Sequence, residues 1–212
     1  MSRTETDTCC ASVNRLPRTL LTTERRLVLT RMGGIIVIDY DPSWPATFER
    51  LRQRIWPVVS DVATSVEHVG STSVPGLAAK PIIDMSVVVP TAADVPIAIE
   101  RLAALDYIHR GTLGVEGRDT FQSPGTLPRH HLYLCPHDSL ALRNHLLVRD
   151  YLRAHPEAAA RYGELKKQLA RQHPDEVDAY VAGKTDLLLE ILGASGVSAS
   201  ELDAIARINR RA

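Results

Sequence analysis

The segment VEHVGSTSVPGLAAKPIIDMS, residues 66–86, decides the fold. Val66 to Val69 reads as a short strand broken by Gly70, and PIIDMSVVV, residues 81–89, reads as a second and more apolar strand. Continuous apolar character is typical of a strand covered on both faces, as at the centre of an α/β sheet. The segment therefore predicts two sheet strands joined through a Gly-Ser turn.

The flanking sequence extends this α/β pattern and then becomes helical. Apolar residues spaced three and four apart predict a helix over 41–59, with Ser43 as its N-cap and Pro45 in its first turn. Further strands are predicted at 35–40, 118–122 and 129–136, and a further helix at 93–107. From Ser139 onward the pattern predicts three helical segments, at 139–155, 156–172 and 175–194.

This order predicts an α/β (α+β) fold with a mixed sheet, flanking helices and a C-terminal helical part. Residues 1–34 read as a poorly ordered or accessory extension, because they lack the apolar block and cleavage site of a secretory signal. The α/β core is expected over 35–137, helices packed on it over 138–196, and a short tail over 197–212.

Composition excludes several classes of function. Twenty-five basic residues balance twenty-five acidic ones, so we expect no nucleic-acid partner. The sequence has no run near the roughly 18 apolar residues of a membrane helix, so we expect no membrane association. Three cysteines at no metal-ligand spacing argue against a disulfide framework and favour the reducing cytoplasm.

The Gly-Ser turn has the chemistry of an anion site. Glycine lets a phosphate approach the main chain, so Gly70 and Ser71 are expected to bind one. Thr72 and Ser73 add hydroxyl donors, and Ser73 is expected to cap a short helix whose positive end faces the anion. The alternative is an ordinary strand and turn, since Gly-Ser turns are common.

Asp84 lies within the second, apolar strand, thirteen residues after Ser71. A carboxylate in such a strand lowers stability unless it is paired or binds a metal. Function is therefore favoured over a purely structural role, although an aspartate at a strand end also caps loops.

The run HVGSTSVPGLAAKPIIDMSV resembles the signature of the GrpB-like family, a group of the nucleotidyltransferase superfamily whose function is largely uncharacterised. The resemblance extends through YDPSWPATFERL, HHLYLCP and DAYVAGKTDLLLEIL, and covers about residues 35–194. It implies a nucleotidyltransferase-like α/β core followed by helices.

One position departs from the wider superfamily, in which a second carboxylate follows the first by two residues. Strand residues i and i+2 share a face, and here the pair is Asp84 and Ser86. The resemblance implies Mg²⁺ held by Asp84, and the missing carboxylate weakens that site. Either another acid completes it (Glu67, Glu116 or Asp119), or the chemistry differs.

Four cationic residues are candidate phosphate ligands. Arg118 matches an arginine of the family pattern, and Lys80 lies beside Pro81 in a loop turning into the strand. Arg149 is expected near the core boundary, where it binds a phosphate or, as the favoured reading, forms an ion pair with Asp150. Lys184 lies in the apolar stripe of the last helix and either reaches a phosphate or snorkels to water.

The HHLYL strand adds two candidates. By strand parity His131 faces the site together with Tyr133, while His130 faces the opposite way. Tyr133 stands where the family pattern often has a second histidine, so a zinc site is not expected. His131 or Asp84 itself is the candidate general base.

Two functions remain open at this point. The first is Mg²⁺-dependent transfer of a nucleotidyl group from a nucleoside triphosphate to a small-molecule acceptor. The second is a non-catalytic module that binds a nucleotide or another phosphorylated metabolite, which Ser86 favours. A third, a helical scaffold for another protein, leaves the pairing of the Gly-Ser turn with Asp84 unexplained.

Overall fold

A mixed sheet organises the molecule. A computed structural model of the chain describes residues 34–209, within which five strands lie in the order β1-β2-β5-β4-β3. They are β1 (Ser65–Val69), β2 (Ile83–Val89), β3 (Ile108–His109), β4 (Asp119–Gln122) and β5 (His130–Pro136). Strands β2 and β5 are parallel, and the other neighbours are antiparallel. This confirms the predicted mixed α/β fold and places β2, the strand of Asp84, between two partners.

One face of this sheet is covered by α1 (Trp44–Val59) and α2 (Val95–Ala103). Alternate residues of β2 and β5 point to this face, where Met85 and Leu132 are fully buried. Helix α1 begins beside Ser43 as predicted, but the Ser43 side chain caps nothing there. Its backbone N–H donates to Asp41 Oδ1 at 2.8 Å, so Ser43 is the N-cap residue as predicted but caps without its hydroxyl.

The C-terminal part contains α3 (Leu140–Ala154), α4 (Pro156–Gln172), α5 (Val177–Gly183), α6 (Thr185–Ala194) and α7 (Ala199–Asn209). Ser139 caps α3, because its hydroxyl accepts a hydrogen bond from the Leu142 N–H at 3.2 Å. The last predicted helix, over 175–194, is in fact two helices that meet at Lys184. None of the helices within residues 34–209 is long and apolar enough to cross a membrane.

Two further predictions are wrong, and the predictions for the first 33 residues concern a part of the chain that is not described. The segment 35–40 is not a strand, because it meets the sheet region only through a bridge between Ile38 and Ala79. Ser73 does not cap a helix: it ends a single 3₁₀ turn, Ser71–Ser73, whose N-cap is Gly70.

Candidate functional site

Gly70 brings the main chain against the Asp84 carboxyl group. Val69, the last residue of β1, pairs with Asp84, and Gly70 follows with φ 68° and ψ −172°. A Cβ atom added to Gly70 would lie 2.9 Å from Asp84 Cβ and Cγ and would overlap Oδ2. Only glycine satisfies both the positive φ and this close approach. The turn and Asp84 therefore form one structural unit.

Asp84 is paired with His131 across the parallel strands β2 and β5. The two residues are register partners, and His131 Nδ1 lies 2.9 Å from Asp84 Oδ1. His131 is half-exposed and Asp84 is about a quarter exposed, at 46% and 26% of their side chains. His130 points to the other face, where its ring bonds the Tyr107 hydroxyl at 2.7 Å. Strand parity thus separates the two histidines, as the sequence indicated.

Beside Asp84 on the same face, Ser86 is fully buried, and its hydroxyl has no hydrogen-bond partner among residues 34–209. Its partner across the strands is Glu67, whose carboxylate accepts a 2.9 Å bond from Arg149 Nη1. Arg149 Nε also donates to Asp150 at 2.7 Å. Arg149 is therefore neutralised by two acids, the arrangement that the ion-pair reading described.

The hydroxyls of the turn divide into two groups. Ser73 donates to the Gly70 carbonyl at 2.6 Å, and Thr72 contacts His68 Nε2 at 3.1 Å and the Ile82 carbonyl at 3.4 Å. Both are buried, so these hydroxyls hold the turn together and do not line the cleft. Ser71 is half-buried and lines a cavity together with Gly70. Among the three hydroxyls, only that of Ser71 is placed for a ligand.

The charge of Asp84 acts on the pKa of three lysines, Lys80, Lys166 and Lys184. Lys80 and Lys184 both lie over the ring of Tyr180, at 5.5 and 4.4 Å from its centroid. Burial, followed by the charge of Lys80, lowers the pKa of Lys184 to about 8, while Asp84 opposes the shift. Burial likewise lowers the pKa of Lys80, against the same carboxylate. These lysines carry more positive charge than Asp84 neutralises.

Lys166 is the third lysine, and sequence reasoning missed it. Its side chain is nearly inaccessible, with 2% of the residue exposed, and Nζ donates to the Ala78 carbonyl. The ammonium lies 4.5 Å from the centre of the Tyr162 ring. Burial, reinforced by Lys184, lowers the pKa of Lys166 to about 6. The signal was available: Lys166 is four residues after Tyr162 and three before Leu169, on the buried stripe of α4.

Arg118 occupies the other end of the site. Its guanidinium carbon lies 4.8 Å from the centre of the Tyr133 ring, and its buried Nε has no partner among the described residues. Burial, then the Asp84 charge, raises the pKa of Tyr133. Burial, then the Arg118 charge, lowers the pKa of the neighbouring His145 to about 4. At neutral pH this end therefore presents one cation and a neutral imidazole.

A cavity of about 270 Å³ opens at the Gly70–Ser71 turn. Arg118 lies on one side of it, and α3, α6 and α7 supply the other walls. Among the residues described above, Gly70, Ser71, Arg118, His145 and Arg149 line this cavity, and Asp84 meets its edge through the contact with Gly70.

The family model described as GrpB protein matches residues 34–194. The chain belongs to the GrpB family. The UPF0157 protein YqkA of Bacillus subtilis (strain 168) is 41% identical over 150 residues, which are 71% of this chain and 44% of that protein. The chain therefore spans less than half the length of that relative.

Solved structures agree with this assignment. The crystal structure of the conserved protein GrpB from Enterococcus faecalis is 37% identical with a TM-score of 0.68, covering 76% of this chain and 96% of that one. A structure of the GLD-2/RNP-8 complex matches with a TM-score of 0.50 at 13% identity, over 72% of this chain and 59% of that one. The latter likeness concerns the fold alone.

In this GrpB-family chain, the acids available for a metal are few. Glu67 is held by Arg149, Asp119 lies 2.6 Å from His109, and Glu116 is exposed. Within residues 34–209, no group of three or more His, Cys, Asp or Glu side chains is placed to hold a metal ion. Magnesium, however, is commonly bound by one or two carboxylates together with substrate phosphates. Asp84 offers a single carboxylate at the turn, so phosphate oxygens of a bound ligand would have to supply further ligands of a magnesium ion.

Proposed function

We propose that this chain binds a nucleoside triphosphate in front of Asp84 and transfers its nucleotidyl group to a small-molecule acceptor. The observation that carries the proposal is the contact between Gly70 and Asp84, since it sets a half-buried turn that lines the cavity beside a carboxylate. Lys80 and Lys184 add positive charge near that carboxylate, whereas the pKa of about 6 leaves Lys166 mostly neutral at neutral pH. A polyphosphate chain complements this distribution of charge.

The pairing of Asp84 with His131 supports a role for the imidazole as the general base. A carboxylate only accepts hydrogen bonds, so His131 Nδ1 carries the proton and Nε2 retains a lone pair. Nε2 is then able to take the proton of an acceptor hydroxyl or amine. The acceptor atom forms a bond to the α-phosphorus, the bond from that phosphorus to the bridging oxygen breaks, and pyrophosphate leaves. Lys184 and its neighbours stabilise the departing charge.

Magnesium, if it arrives with the triphosphate, would be held by Asp84 and would neutralise phosphate charge as a Lewis acid. Ser86 supplies no second carboxylate, so much of the neutralisation falls to the basic side chains. A nucleotide or another phosphorylated small molecule is the ligand class in either case.

The decisive variant is Asp84→Asn, assayed by pyrophosphate release with each of the four ribonucleoside triphosphates, with and without Mg²⁺. We expect a loss of roughly a hundredfold or more, the scale of removing one electrostatic group at a reaction centre. Asp61→Asn is the matched control, since it removes an exposed carboxylate paired with Arg101 at 2.7 Å. Undiminished turnover in Asp84→Asn, with the control active, would contradict the proposal.

A second candidate function is a module that binds the phosphorylated ligand without chemistry, which the buried hydroxyl of Ser86 at the place of a second carboxylate favours. Here a nucleotide raises the melting temperature, because a ligand of the native state stabilises it by mass action. Pyrophosphate is not released, and Asp84→Asn changes affinity alone. The same two assays therefore separate the two candidates.

A further inference from the structure

The cavity beside the Gly70–Ser71 turn has mainly apolar walls. They come from α3, α6 and α7, through the side chains of Val148, Leu152, Leu188, Leu192, Ile205 and Ile208. Its volume of about 270 Å³ lies just below the range of roughly 300–1,000 Å³ that is usual for drug-sized ligands. The cavity thus suits one small ring system and not an entire nucleotide.

Residues with unpaired polar atoms line part of this cavity. Within residues 34–209, five buried side-chain polar atoms have no hydrogen-bond partner, and three of them belong to residues that line the cavity: Arg118 Nε, Asn144 Oδ1 and His145 Nδ1. Unpaired buried polar atoms are destabilising, so native proteins rarely keep them in a group. Arg118 offers a donor, Asn144 offers an acceptor, and His145 offers either according to its tautomer.

Helix α7 closes the cavity and lies beyond the family match, which ends at residue 194. Ile205, Ile208 and Asn209 face the cavity from α7. Glu201 ties the start of this helix to α3, because it accepts a 2.9 Å bond from Arg143 Nη1. This wall therefore lies outside the region that the family model matches.

We propose that this cavity binds the base of the nucleotide and that α7 is the wall that selects it. The inference rests on the proposed function, since the phosphates would lie at the Gly70–Ser71 turn at its mouth. Apolar walls disfavour a sugar or a charged acceptor, and three unpaired polar atoms disfavour a plain hydrocarbon. A heterocycle with donors and acceptors on its edge and an apolar face satisfies both conditions.

The test compares inorganic tripolyphosphate with the four ribonucleoside triphosphates by isothermal titration. Ile205→Trp fills the cavity from α7, and Ile97→Trp is the matched control, because Ile97 is an exposed residue of α2 that does not line the cavity. We expect Ile205→Trp to weaken nucleotide binding at least about tenfold, as pocket misfits do, and to leave tripolyphosphate within about twofold. The control should change neither.

A second variant addresses the polar edge and guards against misfolding of the first. Asn144→Leu keeps the approximate size and removes the unpaired acceptor, so nucleotide affinities should fall about fivefold, with tripolyphosphate unchanged. Nucleotide binding that is unaffected in both variants overturns the base assignment and leaves the proposed function standing. If none of the five probes binds the wild-type chain, the proposed function fails, and the base assignment fails with it.

Discussion

The two faces of β2 and β5 use alternate residues of the same strands for opposite purposes. Towards α1 and α2 point Ile83, Met85 and Val87, which form an apolar layer with almost no exposure. Towards α3 point Asp84 and Ser86, with an acid about a quarter exposed and an unpaired hydroxyl. Because successive residues of a strand point to opposite faces of the sheet, adjacent positions of β2 belong to the core and to the cleft in turn.

The difference shows how the molecule keeps a destabilising site. Every unpaired buried side-chain polar atom among the described residues lies in β2, in β4 or the residue before it, or in α3, and none lies in α1 or α2. The apolar face supplies the hydrophobic stabilisation that tolerates these defects. Substitutions on the two faces should therefore affect different properties.

The largest expected effect is on the apolar face. Met85→Ala should lower the free energy of unfolding by about 3–5 kcal/mol, because Met85 is fully buried and the shortened side chain leaves a cavity. Chemical denaturation measures this loss. Ligand binding by the folded fraction should persist, and a loss below about 1 kcal/mol would show that this face is not the structural one.

The next effect concerns the turn where the faces meet. Gly70→Ala should cost about 2–4 kcal/mol, since the positive φ strains alanine and its Cβ collides with Asp84. Gly76→Ala is the control: Gly76 has φ +79°, but its added Cβ meets nothing within 4 Å. The free energy of unfolding of Gly76→Ala should therefore fall by only about 1–2 kcal/mol, the cost of backbone strain alone.

Chemical denaturation of Gly70→Ala and Gly76→Ala separates the cost of backbone strain from the cost of the collision with Asp84. Nucleotide titration of the same two variants adds a second measurement. Gly70→Ala should also weaken nucleotide binding, because Asp84 must move, whereas Gly76→Ala should not. Equal losses of stability in the two variants, with unchanged binding, would mean that the approach of Gly70 to Asp84 has no functional role.

The fold was predictable from the sequence wherever periodicity was strong. The apolar run of β2 and the stripe of α1 predict their elements, and parity places His131 beside Asp84. Prediction failed where tertiary contacts overrule the local pattern. Residues 35–40 are apolar enough for a strand but meet the sheet region through a bridge alone.

The site was less predictable, because its composition depends on where distant segments meet. From the sequence alone, Lys166 would be taken as a surface lysine. In the structure, α4 packs against the loop that contains Ala78, and the lysine is buried there. Thr72 and Ser73 read as ligands, yet both turn inward to bonds that no pattern of spacing contains. A hydroxyl near a phosphate turn is equally suited to binding and to holding the turn.

The smallest expected effect on stability is that of removing the Ser86 hydroxyl, and it tests the contrast between the two faces of β2 most directly. Ser86→Ala should change the free energy of unfolding by anything from nothing to a gain of about 1 kcal/mol, because the buried hydroxyl it removes has no partner. Ser73→Ala is the matched control, since it deletes the 2.6 Å bond to the Gly70 carbonyl and should cost about 1–2 kcal/mol. Denaturation of both variants measures the difference. If Ser86→Ala were as destabilising as Ser73→Ala, the hydroxyl would be part of the structure, and the cleft would lose one of its unpaired groups. An unchanged free energy of unfolding would show that the Ser86 hydroxyl contributes nothing to the stability of the fold.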